Sequence, residues 1–139
     1  MKLVTGEKSM WYNEINENSI AFSNKGDIAY SVTLYDKHAN IYNGQAGNFY
    51  DEVGFPVMSA SGKRFGYHAT NGSKSFAVID NKEGPAYDNV ASLSFSADDK
   101  HYAYEAKKGQ YYLVNNNGKE SDKYEFVQRQ FLRLDVALT

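Results

Sequence analysis

Residues 84–90 read GPAYDNV, and the chain carries three further versions of this stretch. They are SMWYNEI at 9–15, GNFYDEV at 47–53 and ESDKYEFV at 120–127. Their tyrosines, Tyr12, Tyr50, Tyr87 and Tyr124, are 38, 37 and 37 residues apart, and an aliphatic residue follows each one three positions later. A fixed period of this length predicts a repeat architecture, of which both helical and β versions exist.

A second set of tyrosines keeps the same period and indicates strands rather than helices. Tyr30, Tyr67 and Tyr104 are each 37 residues apart. In the segment SLSFS at 92–96, apolar and polar residues alternate strictly, and SIAFS at 19–23 places Ile20 and Phe22 on one face in the same way. Alternation with period two predicts β-strands, and the Asn-Gly pairs between such segments are typical of tight hairpin turns. We therefore expect an all-β chain with almost no helix.

Each unit is predicted to hold four short antiparallel strands. In the third complete unit they are expected at about 91–97, 101–107, 110–115 and 121–127. A four-stranded sheet that recurs every 37 residues is typical of a β-propeller blade, in which stacked blades bury each other's faces. We divide the single domain of residues 1–139 into a half-blade, three blades and a final strand. These are residues 1–15, 16–53, 54–90, 91–127 and 128–139.

Two segments carry a resemblance to a known family. FSADDKHYAY at 95–104 and IDNKEGPAYDNV at 79–90 resemble the repeat of bacterial WD-like propellers of the TolB type. NNGKESDKYEFV at 116–127 is similar, as a second choice, to the WG-repeat family, although the Trp-Gly pair is absent. The first resemblance implies a propeller built from repeated sheets. Neither implies a particular function, because fold alone does not transfer function.

Three complete blades are too few for a propeller, which needs at least four. In one solution, the half-blade 1–15 pairs with the strand 128–139 of the same chain and closes a four-blade ring. Alternatively, it pairs with that strand of a second chain and gives a ring of seven or eight blades. We favour the second solution, since two-fold dimers are the commonest oligomers. The chain could also be a piece of a longer propeller.

Composition and charge exclude several classes of function. A chain of 139 residues is normally one domain, and a net charge of −2 supplies no basic field for nucleic acid. The absence of cysteine excludes disulfides and thiol catalysis. No apolar run is long enough for a spanning helix, and MKLVTGEKSMW at the N-terminus does not resemble a signal peptide. We expect a soluble cytoplasmic protein, or a periplasmic one if a signal has been removed.

The candidate site residues are few. The repeated tyrosines are expected to pack between blades, whereas Trp11 and Phe49, each just before an anchor tyrosine, could form an aromatic interface patch. His38, His68 and His101 fall at different repeat positions, so no metal site is predicted. Asp98 and Asp99 are adjacent in a predicted turn and should point apart. No catalytic residue, metal or cofactor is predicted.

The sequence therefore favours a non-enzymatic binding or scaffolding module. Its expected partners are a second copy of the chain, which completes the ring, and a protein or small ligand. The alternative is a hydrolase-type propeller, associated with glycosidase or peptidase activity, whose carboxylates meet at the central channel. The predicted innermost strands are mostly small and apolar, which argues against this alternative.

Overall fold

A computed structural model describes the backbone of residues 2–5 and 8–125 and the side chains of residues 12–124. This part of the chain is all-β, with sixteen strands and no helical residue, as the sequence predicts. Strands β1 (Lys2–Thr5) and β2 (Lys8–Trp11) form an antiparallel pair, the N-terminal hairpin. The strand predicted within 128–139 lies outside the described residues.

The first sheet has four antiparallel strands in chain order. They are β3 (Glu14–Phe22), β4 (Ile28–Leu34), β5 (Lys37–Tyr42) and β6 (Gln45–Ala46). Along β4 and β5, Ala29 lies opposite Tyr42 and Val32 lies opposite Ala39. Because side chains alternate along a strand, Ala29 and Val32 point to opposite faces, and both faces of this sheet carry buried residues.

The second and third sheets are antiparallel as well, and each has five strands. The second contains β7 (Glu52–Val53), β8 (Val57–Met58), β9 (Phe65–Asn71), β10 (Lys74–Ile79) and β11 (Lys82–Glu83). The third contains β12 (Asn89–Phe95), β13 (Tyr102–Lys108), β14 (Tyr111–Asn116), β15 (Lys119–Glu120) and β16 (Tyr124–Glu125). In place of one long strand 121–127, the structure has the short strands β15 and β16, and residues 126–127 lie outside its description.

The anchor segments carry the chain from one sheet into the next. Tyr50 exchanges two backbone hydrogen bonds with His38 of the first sheet, and Glu52 then pairs with Thr70 of the second. Tyr87 likewise bonds Ser75, and the chain enters β12 two residues later. Tyr50 and Tyr87 are therefore each shared between two sheets.

A matched turn joins β5 to β6, β10 to β11 and β14 to β15. Asn43, Asp80 and Asn117 occupy it with φ of 48°, 51° and 53°. Asn and Asp tolerate this left-handed region better than other residues with a side chain. Their side chains accept hydrogen bonds from the amides of Ile28, Phe65 and Tyr102, which lie at the starts of β4, β9 and β13. The turns thus fix the hairpins to their neighbouring strands.

Buried clusters lie between consecutive sheets. Between the first two sheets the cluster comprises Ala29, Tyr50, Phe65, Tyr67, Ala69, Phe76 and Val78. Between the second and third it comprises Ala77, Ile79, Tyr87, Val90, Tyr104, Ala106 and Leu113. A third cluster, Tyr12, Val32, Ala39 and Ile41, covers the other face of the first sheet. The same kind of face-to-face packing thus occurs twice along the chain.

Candidate functional site

The phenols of two anchor tyrosines bind the next sheet. Tyr50 Oη donates to Glu83 Oε2 over 2.8 Å, and Tyr87 Oη donates to Glu120 Oε2 over 2.6 Å. Burial is the larger cause and the hydrogen bond to the glutamate the next, and both raise the pKa of the two phenols. The phenols therefore remain protonated donors. The glutamates of the two matched segments therefore serve to hold one sheet against another.

The residue after each of these tyrosines fastens a hairpin turn. Asp51 accepts from the Gly72 amide over 2.8 Å, and Asp88 accepts from the Gly109 amide over 2.6 Å. Lys37 pairs with Asp51, and Lys74 pairs with Asp88. The Lys37 and Gly72 hydrogen bonds lower the pKa of Asp51. Tyr87 and Asp88 of the stretch GPAYDNV, like Tyr50 and Asp51, thus make structural contacts.

The second set of tyrosines is also enclosed. Tyr67 and Tyr104 are buried, and Tyr30 is half-buried. Burial raises the pKa of Tyr67 to about 12. A Cβ atom added at Gly47 would come within 2.8 Å of Tyr67 Oη, so the glycine leaves room for the phenol.

The proposed aromatic patch is only partly described. Phe49 is half-buried and stacks on Tyr12 with ring centroids 6.2 Å apart. Trp11 ends β2, and its side chain lies outside the description. The structure therefore places Phe49 against the cluster on the first sheet and leaves its association with Trp11 a prediction.

The histidines and the paired aspartates take separate positions. His38 lies in β5, His68 in β9 and His101 just before β13. Asp98 accepts from Ser96 Oγ over 2.6 Å, whereas Asp99 accepts from Ser61 Oγ of a different turn over 2.6 Å. Among the described residues, no group of three or more His, Asp or Glu side chains is arranged to hold a metal ion.

A polar cleft of about 400 Å³ lies between the first two sheets. Its lining residues are Glu14, Asn16, Ser31, Thr33, His38, Glu52, Val53 and Phe55, and this set is called the cleft below. β3, β4 and β5 supply one wall, and β7 with the residue Phe55 supplies the other. Of these residues, only His38 was considered as a ligand from the sequence, which predicted no metal site there.

A substitution at matched positions accounts for the space. Ser31 lies opposite Asn40 in the first sheet, and 37 residues later His68 lies opposite Ala77 in the second. The His68 ring lies so close to Gly54 that an added Cβ there would be 2.1 Å from it. Serine thus stands in the first sheet where the second carries a bulky imidazole. Comparison of these positions in the sequence was the one signal that could have indicated the cleft.

Hydrogen bonds hold the floor of the cleft in place. Ser31 Oγ donates to Asn40 Oδ1, and Asn40 Nδ2 donates to the Gly54 carbonyl over 3.0 Å, which links the two sheets. Thr33 Oγ1 lies 3.0 Å from His38 Nδ1. Glu14 and Glu52 are exposed and take part in none of the three ion pairs between described side chains.

Comparison with family models, curated proteins and solved structures finds no match to this chain. The described residues include no helix that could cross a membrane.

A second groove, between the second and third sheets, already contains a cation. Arg64 donates through Nε and Nη2 to Asp80 Oδ2 over 3.1 and 3.0 Å, and its guanidinium lies 5.5 Å from the ring centroid of Phe95 and 5.4 Å from that of Tyr102. This groove has a volume of about 270 Å³ and includes Tyr104 and Glu83 in its lining. Its acidic and aromatic groups are therefore partly occupied by the chain's own arginine.

The far face of the third sheet differs from its counterparts in burial. Asn40, Ala77 and Val114 are 37 residues apart on β5, β10 and β14, and they are 1%, 0% and 44% exposed. The anchors Tyr12, Tyr50 and Tyr87 are each 2% exposed, but Tyr124 is 38% exposed. The third sheet thus presents to solvent a position that the following sheet covers in the other two.

Proposed function

We propose that the chain is a non-enzymatic binding or scaffolding module of the β-propeller type, whose ring is completed by a second copy. The observation that carries this proposal is the exposure of Val114 at a position that is fully buried in both preceding sheets. A sheet face built like two buried ones, but left uncovered, is suited to receive another sheet.

The inter-sheet contacts indicate what such a partner must present. In both buried interfaces, a face with a large aromatic residue, Tyr67 or Tyr104, packs on the small-residue face of the preceding sheet. The third sheet offers Ala103 and Val114 on the corresponding face. A second copy supplies strands of the same kind, and its N-terminal hairpin corresponds to the outer half of a blade. In a shared blade, the hairpin of one copy would meet the strand predicted within residues 128–139 of the other copy.

The scaffolding role is supported by the use of the repeated polar groups. The phenol of Tyr87 and the carboxylates of Glu120 and Asp88 all hold strands or sheets together. The side chains that differ between matched positions can serve recognition. This division of roles favours a rigid frame that displays variable surfaces. The cleft is one such surface.

The test is the molar mass in solution, by light scattering after size exclusion. Wild type should elute at twice the chain mass of 15.7 kDa, and Val114→Lys should shift it to the monomer, because a charge would be buried at the new interface. Gln110→Lys, at an exposed turn, is the matched control and should leave the dimer intact.

A wild-type monomer, or a dimer that Val114→Lys does not weaken, would contradict completion of the ring by a second copy through this face. Circular dichroism of each variant should show the same strand signal as wild type. This control separates a lost interface from a lost fold.

A further inference from the structure

We infer that the cleft binds an organic cation, a guanidinium or ammonium group, between the carboxylates of Glu14 and Glu52 and the ring of Phe55. It lies between the first two sheets and involves none of the residues of the uncovered third-sheet face. The inference therefore does not depend on ring completion.

The space for a ligand is formed by the chain itself. The pair Ser31 and Asn40 stands where the second sheet has His68 and Ala77, so the first sheet lacks the imidazole. The resulting volume of about 400 Å³ falls in the lower part of the range of about 300–1,000 Å³ found for small-molecule sites. Asn40 and Ser31 satisfy each other's hydrogen bonds, and therefore the floor is stable when empty.

The charge of the cleft selects a cation. Its lining includes two carboxylates, Glu14 and Glu52, and no lysine or arginine. Neither carboxylate is engaged in an ion pair with another described side chain. Two like charges beside one space repel each other, and a cation between them relieves that repulsion.

The remaining groups favour a flat or tetrahedral nitrogen cation over a metal ion. Phe55 is 55% exposed at the rim, so its ring face can accept a guanidinium or ammonium group. Thr33 and His38, held together at 3.0 Å, add a polar wall that can exchange hydrogen bonds with N–H donors. Arginine combines a bidentate fork for carboxylates with a plane that stacks on aromatic rings.

The groove around Arg64 shows the same combination satisfied within the chain. There a guanidinium lies over Phe95 and Tyr102 and pairs with Asp80. The cleft has the acidic and aromatic groups without the arginine. A cation from outside the chain would complete it in the same manner.

The experiment is a ligand titration, monitored by isothermal titration calorimetry and by the NMR chemical shifts of backbone amides. The probes are N-acetyl-arginine amide, the uncharged N-acetyl-citrulline amide, and ethylguanidinium, which has no peptide group. We expect the arginine derivative to bind with shifts around β3, β4 and β7, and the citrulline derivative to bind at least about tenfold more weakly. Binding of ethylguanidinium would indicate a free cation as ligand, and its failure to bind would indicate an arginine-containing peptide.

The double variant Glu14→Gln, Glu52→Gln should weaken binding of the arginine derivative by about tenfold or more. Glu17→Gln removes a charge from the same strand outside the cleft and should leave binding unchanged. Phe55→Ala should weaken binding by a few-fold, because an exposed cation–π contact contributes about 0.5–1 kcal/mol.

A filling variant tests the cavity without removing charge. Ser31→His combined with Asn40→Ala and Asn16→Gly reproduces the second sheet at these positions, where Gly54 leaves room for the His68 ring, so the fold should tolerate it. We expect it to abolish binding while the thermal unfolding midpoint stays close to that of wild type. Equal affinity for the citrulline derivative, undiminished binding in the double glutamine variant, or a dissociation constant above about 10 mM for wild type would overturn the inference.

Discussion

At the scale of single residues, the surroundings of His68 alter its chemistry. It is half-buried in β9, and burial lowers its pKa even though Glu52 acts in the opposite direction. Ser31, at the matched position, is buried and holds Asn40. One position thus serves packing in one sheet and leaves a cleft in the other.

His68 should make stability depend on pH. A folded-state pKa below the unfolded value of about 6.5 means that the unfolded chain binds the proton more readily, so stability is lost as pH falls through that window. We expect the urea midpoint of wild type to fall between pH 7.5 and 5.5, and to fall less in His68→Gln.

His101→Gln is the matched control, since it removes a histidine from an exposed turn. It should retain the wild-type pH dependence. If the urea midpoint changed equally with pH in wild type and in His68→Gln, the imidazole would titrate alike in the folded and unfolded states, which would contradict the prediction.

At the scale of elements, strand content and turn positions followed from the sequence. Alternation predicted the strands β12 and β13 to within two residues, because a half-buried strand needs period-two patterning whatever surrounds it. Asn117-Gly118 was predicted to be a turn, and both residues have positive φ. The sequence did not predict that β15 and β16 are two separate strands. Their separation at residues 121–123 depends on which backbone groups of β14 are available for pairing.

The turn at Asn117 should be sensitive to the backbone and the side chain separately. Asn117→Ala loses the hydrogen bond to the Tyr102 amide and places alanine at φ 53°, so we expect a destabilisation of about 1.5–3 kcal/mol. Asn117→Gly keeps the conformation and loses only the side-chain hydrogen bonds, to the Tyr102 amide and to His101 Nδ1, so it should cost about 1 kcal/mol less. Urea unfolding of wild type, Asn117→Ala and Asn117→Gly measures the backbone and side-chain contributions separately. Equal stability of the two variants would contradict this division.

At the scale of the whole molecule, the sheets are joined by buried faces and by bonds between them. Tyr50 belongs to the edge of the first sheet and reaches Glu83 in β11 of the second. The sequence showed these tyrosines to be repeated and predicted that they pack. It did not indicate that their partners are the repeated glutamates.

The bond between Tyr50 and Glu83 should couple the first two sheets. A double-mutant cycle of Tyr50→Phe and Glu83→Ala is expected to give a coupling of about 1 kcal/mol in the free energy of unfolding. Tyr35→Phe, which changes an exposed phenol, should have no effect. A coupling indistinguishable from zero would mean that water replaces the glutamate at no cost.

The sequence by itself determined the strands, the turns and the periodic placement of the packing residues, because these depend on local alternation and on backbone preferences within a few residues. Only the tertiary structure decided which glutamate each tyrosine meets, that Ser31 opens a cleft where His68 stands in the next sheet, and that Val114 is left uncovered. Those features arise where side chains from distant strands share one space. Their presence depends on volume and exposure rather than on the order of residues along the chain.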